Sequence, residues 1–306
     1  MISLVLCIMI VMSGEEIDGI VDPLELLFEI RDLYIRKPLI FERVSYEYED
    51  KWIALMPGID PEIGFVVKLI GIYPKATPRV RGFIMVSGLE NGEIILIADA
   101  SSATGWRTAT TSALAAKLLL ECDLMKRCSI DVLGIIGAGV QGEYHLRVFK
   151  NLFDIKKILI YDIESSKSHL LAKKYEGSET SLDDLLMRSD VIITATNSTQ
   201  PVVRGDILRN GAIVISVGAP KPVKELDDIT RRRAGCALVD TVTGVARESE
   251  DVSGIDLVEI GEYMRGRKCL FKEIKLYKSV GTSLLDIAVA RHIIKRKRSR
   301  NHREIS

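Results

Sequence analysis

The chain is poor in aromatic residues, 6% of 306, and carries no surplus charge, with Lys+Arg and Asp+Glu at 42 each. Such a balance offers no electrostatic footprint for a polyanion, so no nucleic-acid partner is expected. No apolar run approaches the roughly 20 residues that cross a bilayer. The nearest, MISLVLCIMIVM at residues 1–12, has no basic lead and no small-residue cleavage site. It predicts a buried first strand, with neither membrane nor export expected. Cysteine is scarce and scattered, at 7, 122, 128, 236 and 269, with no C-x-x-C and no histidines gathered nearby. No metal site is expected, and the odd count predicts reduced thiols in a cytoplasmic protein. The chain also lacks G-x-S-x-G, H-E-x-x-H and the phosphate-binding P-loop, which removes three familiar chemistries.

What is present is a globular composition, 47% hydrophobic and 27% charged, at a length suited to about two domains. Ser13-Gly-Glu-Glu16 reads as a capping box and Asp22-Pro23 as a second helix start. Residues 39–100 then alternate short apolar runs with turn residues, and Leu89-Glu-Asn-Gly92 is a hairpin-type turn. Thr104 to Leu120 predicts a helix. From 128 onward strands and helices alternate: DVLGIIG, EYHLRVFKNL, KKILIYD, SHLLAKKY, SLDDLLMR, DVIITAT, AIVISVG, ELDDITRRR, CALVD. That alternation predicts an α/β fold, a Rossmann-type doubly wound parallel sheet beside an α+β domain. The expected boundaries are 1–118 for the α+β domain and 119–290 for the doubly wound one. The tail predicts one amphipathic helix ending in a basic cluster that frays into solvent, with 291–306 returning to the first domain.

Within the parallel block, LGIIGAGVQGEYHL carries Gly137, Gly139 and Gly142 between an apolar strand and a helix. Glycine is common, so the motif gains its meaning from that context. The first glycine allows the turn, the second lets a pyrophosphate approach the backbone, and the third lets helix and strand pack closely. Ala138 and Val140 complete the turn, and the helix start offers unpaired N–H groups to phosphate. Asp162 ends the next strand about twenty residues past Gly142, where a carboxylate takes the ribose hydroxyls and repels a 2′-phosphate. NAD is therefore expected over NADP. Thr196 and Asn197, and Gly218, follow two later strands, on the side where a nicotinamide is expected.

Three cations interrupt apolar stretches in the first block: Arg43, Lys68 inside GFVVKLIGIY, and Arg107 inside GWRTATTSALAAK. By strand alternation Lys68 alone would as readily snorkel or point outward. Together with few nearby acids and an adjacent cofactor domain, the three suggest the site that holds the redox partner.

Met56-Pro57, Gly64-Phe-Val-Val-Lys68, Asp99-Ala100, Thr104-Gly-Trp-Arg107-Thr-Ala and Ser112-Ala-Leu-Ala-Ala carry a resemblance to the ornithine cyclodeaminase/mu-crystallin family. The glycine turn, Thr194-Ala-Thr196, Glu225-Leu226 and Ser279-Val-Gly281-Thr with Asp286 continue it over nearly the whole chain. That family includes archaeal-type alanine dehydrogenase and ketimine reductases. The resemblance implies hydride exchange between nicotinamide and the α-carbon of a small amino, imino or keto acid. It implies that Arg43, Lys68 and Arg107 hold the substrate carboxylate, with Lys68 also exchanging a proton with the nitrogen. It further implies a homodimer formed through the first domain. Two departures stand out. Ala219 occupies the loop position where the cyclodeaminase carries an aspartate for the distal amine, and Ala54 the place of an arginine in the alanine dehydrogenase pattern. Ornithine cyclodeaminase proper, and a dinucleotide-binding protein without catalysis, remain as alternatives.

Overall fold

The computed structural model describes the backbone of residues 9–304 and the side chains of 9–299. Cys7 and most of the first apolar run lie outside these. The chain forms two compact units, one made of the residues up to Arg107 together with those from Thr282 onward, the other of Thr108–Gly281.

The first unit opens with β1 (Ile10–Met12) and α1 (Gly14–Asp18). Ser13 Oγ accepts from Glu16 N while the Glu16 carboxylate accepts from Ser13 N, the reciprocal capping box read from the sequence. Asp22 caps α2 (Pro23–Arg36) by accepting from Leu24 N and Glu25 N. There follow β2 (Leu39–Ile40), β3 (Val44–Tyr48), β4 (Lys51–Asp60), β5 (Gly64–Ile72), β6 (Val80–Ser87), β7 (Ile94–Asp99) and α3 (Ala100–Leu119), which passes into the second unit at Thr108. The helix α3 begins at Ala100 rather than Thr104, and Asp99 accepts from Ser102 N in its first turn. The sheet order is β1-β7-β6-β5-β4-β2, with β3 also on β4; β1 runs parallel to β7 and the other pairs are antiparallel. Alternation sorts its two faces. Ala54, Met56, Val66, Ile70, Ile84, Val86, Leu96 and Ala98 are buried on one. Leu55, Phe83 and Val11 are exposed on the other.

The second unit comprises β8 (Cys128–Ile136), α4 (Val140–Leu152), β9 (Phe153–Tyr161), α5 (Ser165–Tyr175), β10 (Ser178–Glu179), α6 (Leu182–Arg188), β11 (Val191–Thr194) and β12 (Ile213–Ser216). It continues with α7 (Asp228–Ala234), β13 (Cys236–Val239), α8 (Val242–Glu248), β14 (Asp256–Glu259), α9 (Ile260–Met264) and β15 (Lys275–Lys278). Its 8-stranded sheet has the order β10-β9-β8-β11-β12-β15-β13-β14, and every pair is parallel. The protein is thus mixed α/β with a doubly wound parallel sheet, as the strand–helix alternation predicts. The runs VIIT and IVIS of β11 and β12 are buried throughout, which is why they lack alternation.

Two expectations are corrected here. The thiols expected to be reduced form two disulfides, Cys122–Cys128 and Cys236–Cys269. Both pairs are brought together by folding of the second unit, which spacing alone does not reveal. The tail is also not a helix with one wet face. Its first residue, Lys278, ends β15, and the helix α10 (Ser283–Glu304) starts only at Ser283, packing on β4, β5 and α2. Leu285, Ile287, Ala288, Val289, Ala290, Arg291, His292, Ile293 and Ile294 are all buried in succession. Nor does the basic cluster simply fray: Lys295, Arg296 and Lys297 pair with Glu29, Glu25 and Glu16. Buried Arg291 reaches Asp60, Glu29 and Glu62. No helix among the described residues is long and apolar enough to cross a membrane.

Candidate active site

Strand β5 decides where Lys68 points. Val66, Lys68 and Ile70 share its buried face, and Lys68 pairs in register with Met56 and Ile84. The side chain is 1% exposed, so it does not snorkel. Its ammonium lies 2.9 Å from Asp286 Oδ1 on α10, and Arg107 Nε on α3 lies 2.8 Å from that same oxygen. Burial pushes Lys68 down from an ordinary 10.5 to about 7, with the Arg107 charge adding to the fall and Asp286 opposing it. Arg43, ahead of β3, acts on Lys68 in the same direction as Arg107, and its guanidinium lies 5.7 Å from the Trp52 ring. The structure therefore brings the three sequence-predicted cations into one electrostatic cluster and adds an acid. Asp286 Oδ2 is buried and without a hydrogen-bond partner.

In the second unit the glycine turn has the shape a dinucleotide needs. Gly137 has φ 98°, and a Cβ there would meet Ala195 O at 2.5 Å. A Cβ on Gly142 would meet Gly137 O at 2.1 Å, so the start of α4 sits hard against the turn. A Cβ on Gly139 would meet nothing within 4 Å. That open approach faces the backbone where a pyrophosphate would come close. Gly139 is the N-cap of α4 and supplies no side chain to its free N–H groups, and Val140 is half exposed. Asp162 follows β9, and its carboxylate accepts from Ala138 N at 2.7 Å and Glu164 N at 2.9 Å. The residues present thus fit a dinucleotide, with Gly137, Ala138, Gly139, Val140, Gly142 and Asp162 gathered at one turn. Among the described residues no cluster of histidine, cysteine or carboxylate side chains is suited to a metal ion.

Thr196 and Asn197 lie just after β11, and Gly218 just after β12. Asn197 is exposed. Thr196 and Gly218 are tied together by Glu225, which is fully buried. Its Oε1 accepts from Thr194 Oγ1, Thr196 N and Thr196 Oγ1 at 3.0, 2.7 and 2.9 Å. Its Oε2 accepts from Ser216 Oγ and Gly218 N at 2.7 and 2.8 Å. Buried Lys278, at the end of β15, donates to Gly218 O, Ser216 Oγ and Asp251 at 2.7, 2.9 and 2.7 Å. Asp251 in turn accepts from Glu225 N and Leu226 N. Sequence reasoning missed the hub formed by Glu225, Lys278 and Asp251. No local pattern marks it, because Lys278 ends the short strand KLYK, which already carries a lysine at its start.

A parallel sheet with a glycine turn, joined in one chain to a mixed sheet that buries a cation cluster, is the architecture of two-unit α/β oxidoreductases. The chain belongs to the ornithine cyclodeaminase/mu-crystallin family, whose model matches residues 3–301. Ketimine reductase mu-crystallin of Mus musculus is 31% identical over 253 residues, 78% of this chain and 79% of that one. Alanine dehydrogenase of Archaeoglobus fulgidus is 25% identical over 95% of this chain and 96% of its own length. Among solved structures, Thermococcus litoralis Delta(1)-pyrroline-2-carboxylate reductase in complex with NADH and L-proline is similar with TM-score 0.84 and 26% identity, covering 96% of this chain and 98% of that one. These relatives are enzymes that act on small imino or amino acids.

Proposed function

We propose that the protein is a nicotinamide-dinucleotide-dependent oxidoreductase that reduces a small imino acid, a cyclic ketimine acid such as pyrroline-2-carboxylate. The observation that carries this reading is the buried Lys68–Asp286–Arg107 cluster. We assign substrate binding to the first unit and the dinucleotide to the glycine turn of the second. The bound dinucleotide would supply a hydride to the imine carbon. Arg107 and Arg43 hold the substrate carboxylate, Arg107 offering the planar fork suited to it. Lys68 gives a proton to the imine nitrogen: its N–H bond breaks, a substrate N–H bond forms, and the lysine is left neutral. A lysine near pH 7 serves both this step and its reverse.

Ala219 and Ala54 favour imine reduction over the alternatives. Ala219 packs against the apolar core and offers no acid for a distal amine, which weighs against ornithine cyclisation. Ala54 is fully buried on the Lys68 face of β4 and offers no charge to that face. Alanine dehydrogenase activity is the second reading, supported by the likeness over nearly the full chain. We propose NAD as the cofactor, because Asp162 stands where a 2′-phosphate would be repelled. The decisive experiment follows nicotinamide absorbance with NADH and with NADPH against cyclic ketimine acids, pyruvate plus ammonia, and ornithine. Ketimine turnover with NADH is expected to exceed the others. Proline and ammonia formed from ornithine without net NADH use would overturn the reading in favour of cyclisation, and no turnover of any member would favour a binding protein.

We also propose a homodimer joined through the exposed face of the first unit's sheet. Pro57, Val67, Met85, Ile97 and Val11 lie in one transverse row, and Val44, Leu55, Leu69 and Phe83 in the next. An apolar face of this breadth is rarely left to water. Sedimentation is expected to give twice the chain mass, and Leu55→Asp with Phe83→Asp to give a monomer. A wild-type monomer at micromolar concentration sinks the proposal. A cytoplasmic location is proposed with the cofactor, which is supplied there; labelling of free thiols in a native extract would show whether the disulfides exist in that compartment.

A further inference from the structure

We propose that Asp286 is the positioning residue of the substrate site: its Oδ1 holds the Lys68 ammonium and the Arg107 guanidinium side by side, and so governs the proton that Lys68 passes to the substrate nitrogen. The inference rests on the role given to Lys68 above.

The geometry is specific. One carboxylate oxygen takes two cations, at 2.9 and 2.8 Å, and the three side chains are 0–4% exposed. An acid wanted only for neutrality would share its two oxygens between the two cations. Here Oδ2 is left buried without a hydrogen-bond partner. So are Ser283 Oγ, one turn before Asp286 on α10, and Thr104 Oγ1, one turn before Arg107 on α3. Buried polar atoms are seldom left unmet, and three on the faces that carry this cluster point to a ligand with polar groups of its own. The charged groups that act on Lys68 are Arg107 from α3, Arg43 from the segment before β3 and Asp286 from α10. Two of these drive the proton off. Asp286 alone retains it, so without Asp286 the ammonium would be lost at lower pH.

The test is Asp286→Asn, read in two ways. The first is the pH profile of kcat/KM for imine reduction. The second is the titration of Lys68 by NMR of 13Cε-labelled lysine, assigned with Lys68→Met, which needs no turnover. In Asp286→Asn the Lys68 midpoint should fall by a unit or more. The alkaline limb of kcat/KM should move with it, costing about tenfold at pH 8 and little below the new midpoint. Asp286→Glu should restore the limb. If Asp286→Asn does not fold, Asp286→Ser, which leaves room for water, takes its place. A loss of equal size at every pH, with the Lys68 midpoint unmoved, overturns the proposal and leaves Asp286 a packing residue. If the wild-type protein reduces no imino acid, the functional reading fails, while the NMR titration still reports whether Asp286 holds the Lys68 proton.

Discussion

Lys68→Met is expected to lower turnover by about 10²–10⁴-fold, the usual contribution of a placed proton donor, while dinucleotide binding is unchanged. The separation follows from placement. Lys68 lies on β5 of the first unit, and the glycine turn lies in the second. Methionine is close to lysine in shape and can sit between Met56 and Ile84 without a cavity. Isothermal titration with NADH checks the binding half, and steady-state rates check the other. A variant within a few-fold of wild type in kcat removes Lys68 from the chemistry. Stability should carry its own pH signature. An unfolded lysine keeps its proton to about 10.5, whereas folded Lys68 releases it near 7. Between those values the unfolded chain binds more protons, so this group's contribution to stability rises with pH. Below pH 7 the cost of burying the charged lysine is fully present. Lys68→Met removes that cost but leaves Asp286 to Arg107 alone, so its melting temperature relative to wild type should be most favourable on the acid side.

Lys278→Met is expected to cost stability outright. It leaves Asp251, and beyond it Glu225, buried without the cation at 2.7 and 4.0 Å. Removing one partner of a buried pair costs about 3–5 kcal/mol, roughly 6–20 °C in melting temperature for a unit of this size. The double variant Lys278→Met, Asp251→Asn should recover part of the loss, because the uncompensated charge goes with it. Calorimetry of the four proteins measures the coupling. Additive losses would show that Lys278 and Asp251 do not act as a pair.

The glycine turn was legible because each glycine answers a local demand within a few residues, and Asp162 follows by a fixed interval. The capping box at Ser13 and the cap at Asp22 were legible for the same reason. Lys68 was legible as an oddity, a cation in an apolar run, though its direction was not. A one-residue change of register would turn it outward, and register depends on β4 and β6. The hub at Glu225 was beyond reach: its partners come from β11, β12, β15 and the Asp251 turn, and no spacing rule links them. The insertion of β15 between β12 and β13 was hidden likewise, since strand order is a property of the packed sheet. The charges of α10 looked like a wet face because Arg291 and His292 are polar, yet Arg291 is matched by acids from α2 and the β4–β5 turn.

The first unit is sewn from both ends of the chain. Lys68 and Asp286 are 218 residues apart, and the whole parallel-sheet unit is synthesised between them. A chain emerging from the ribosome exposes its glycine turn long before Asp286 is made, so Lys68 waits for its acid. Only the last helix closes the cluster. A chain cut short before α10 would therefore keep Lys68 and Arg107 without the acid that pairs them.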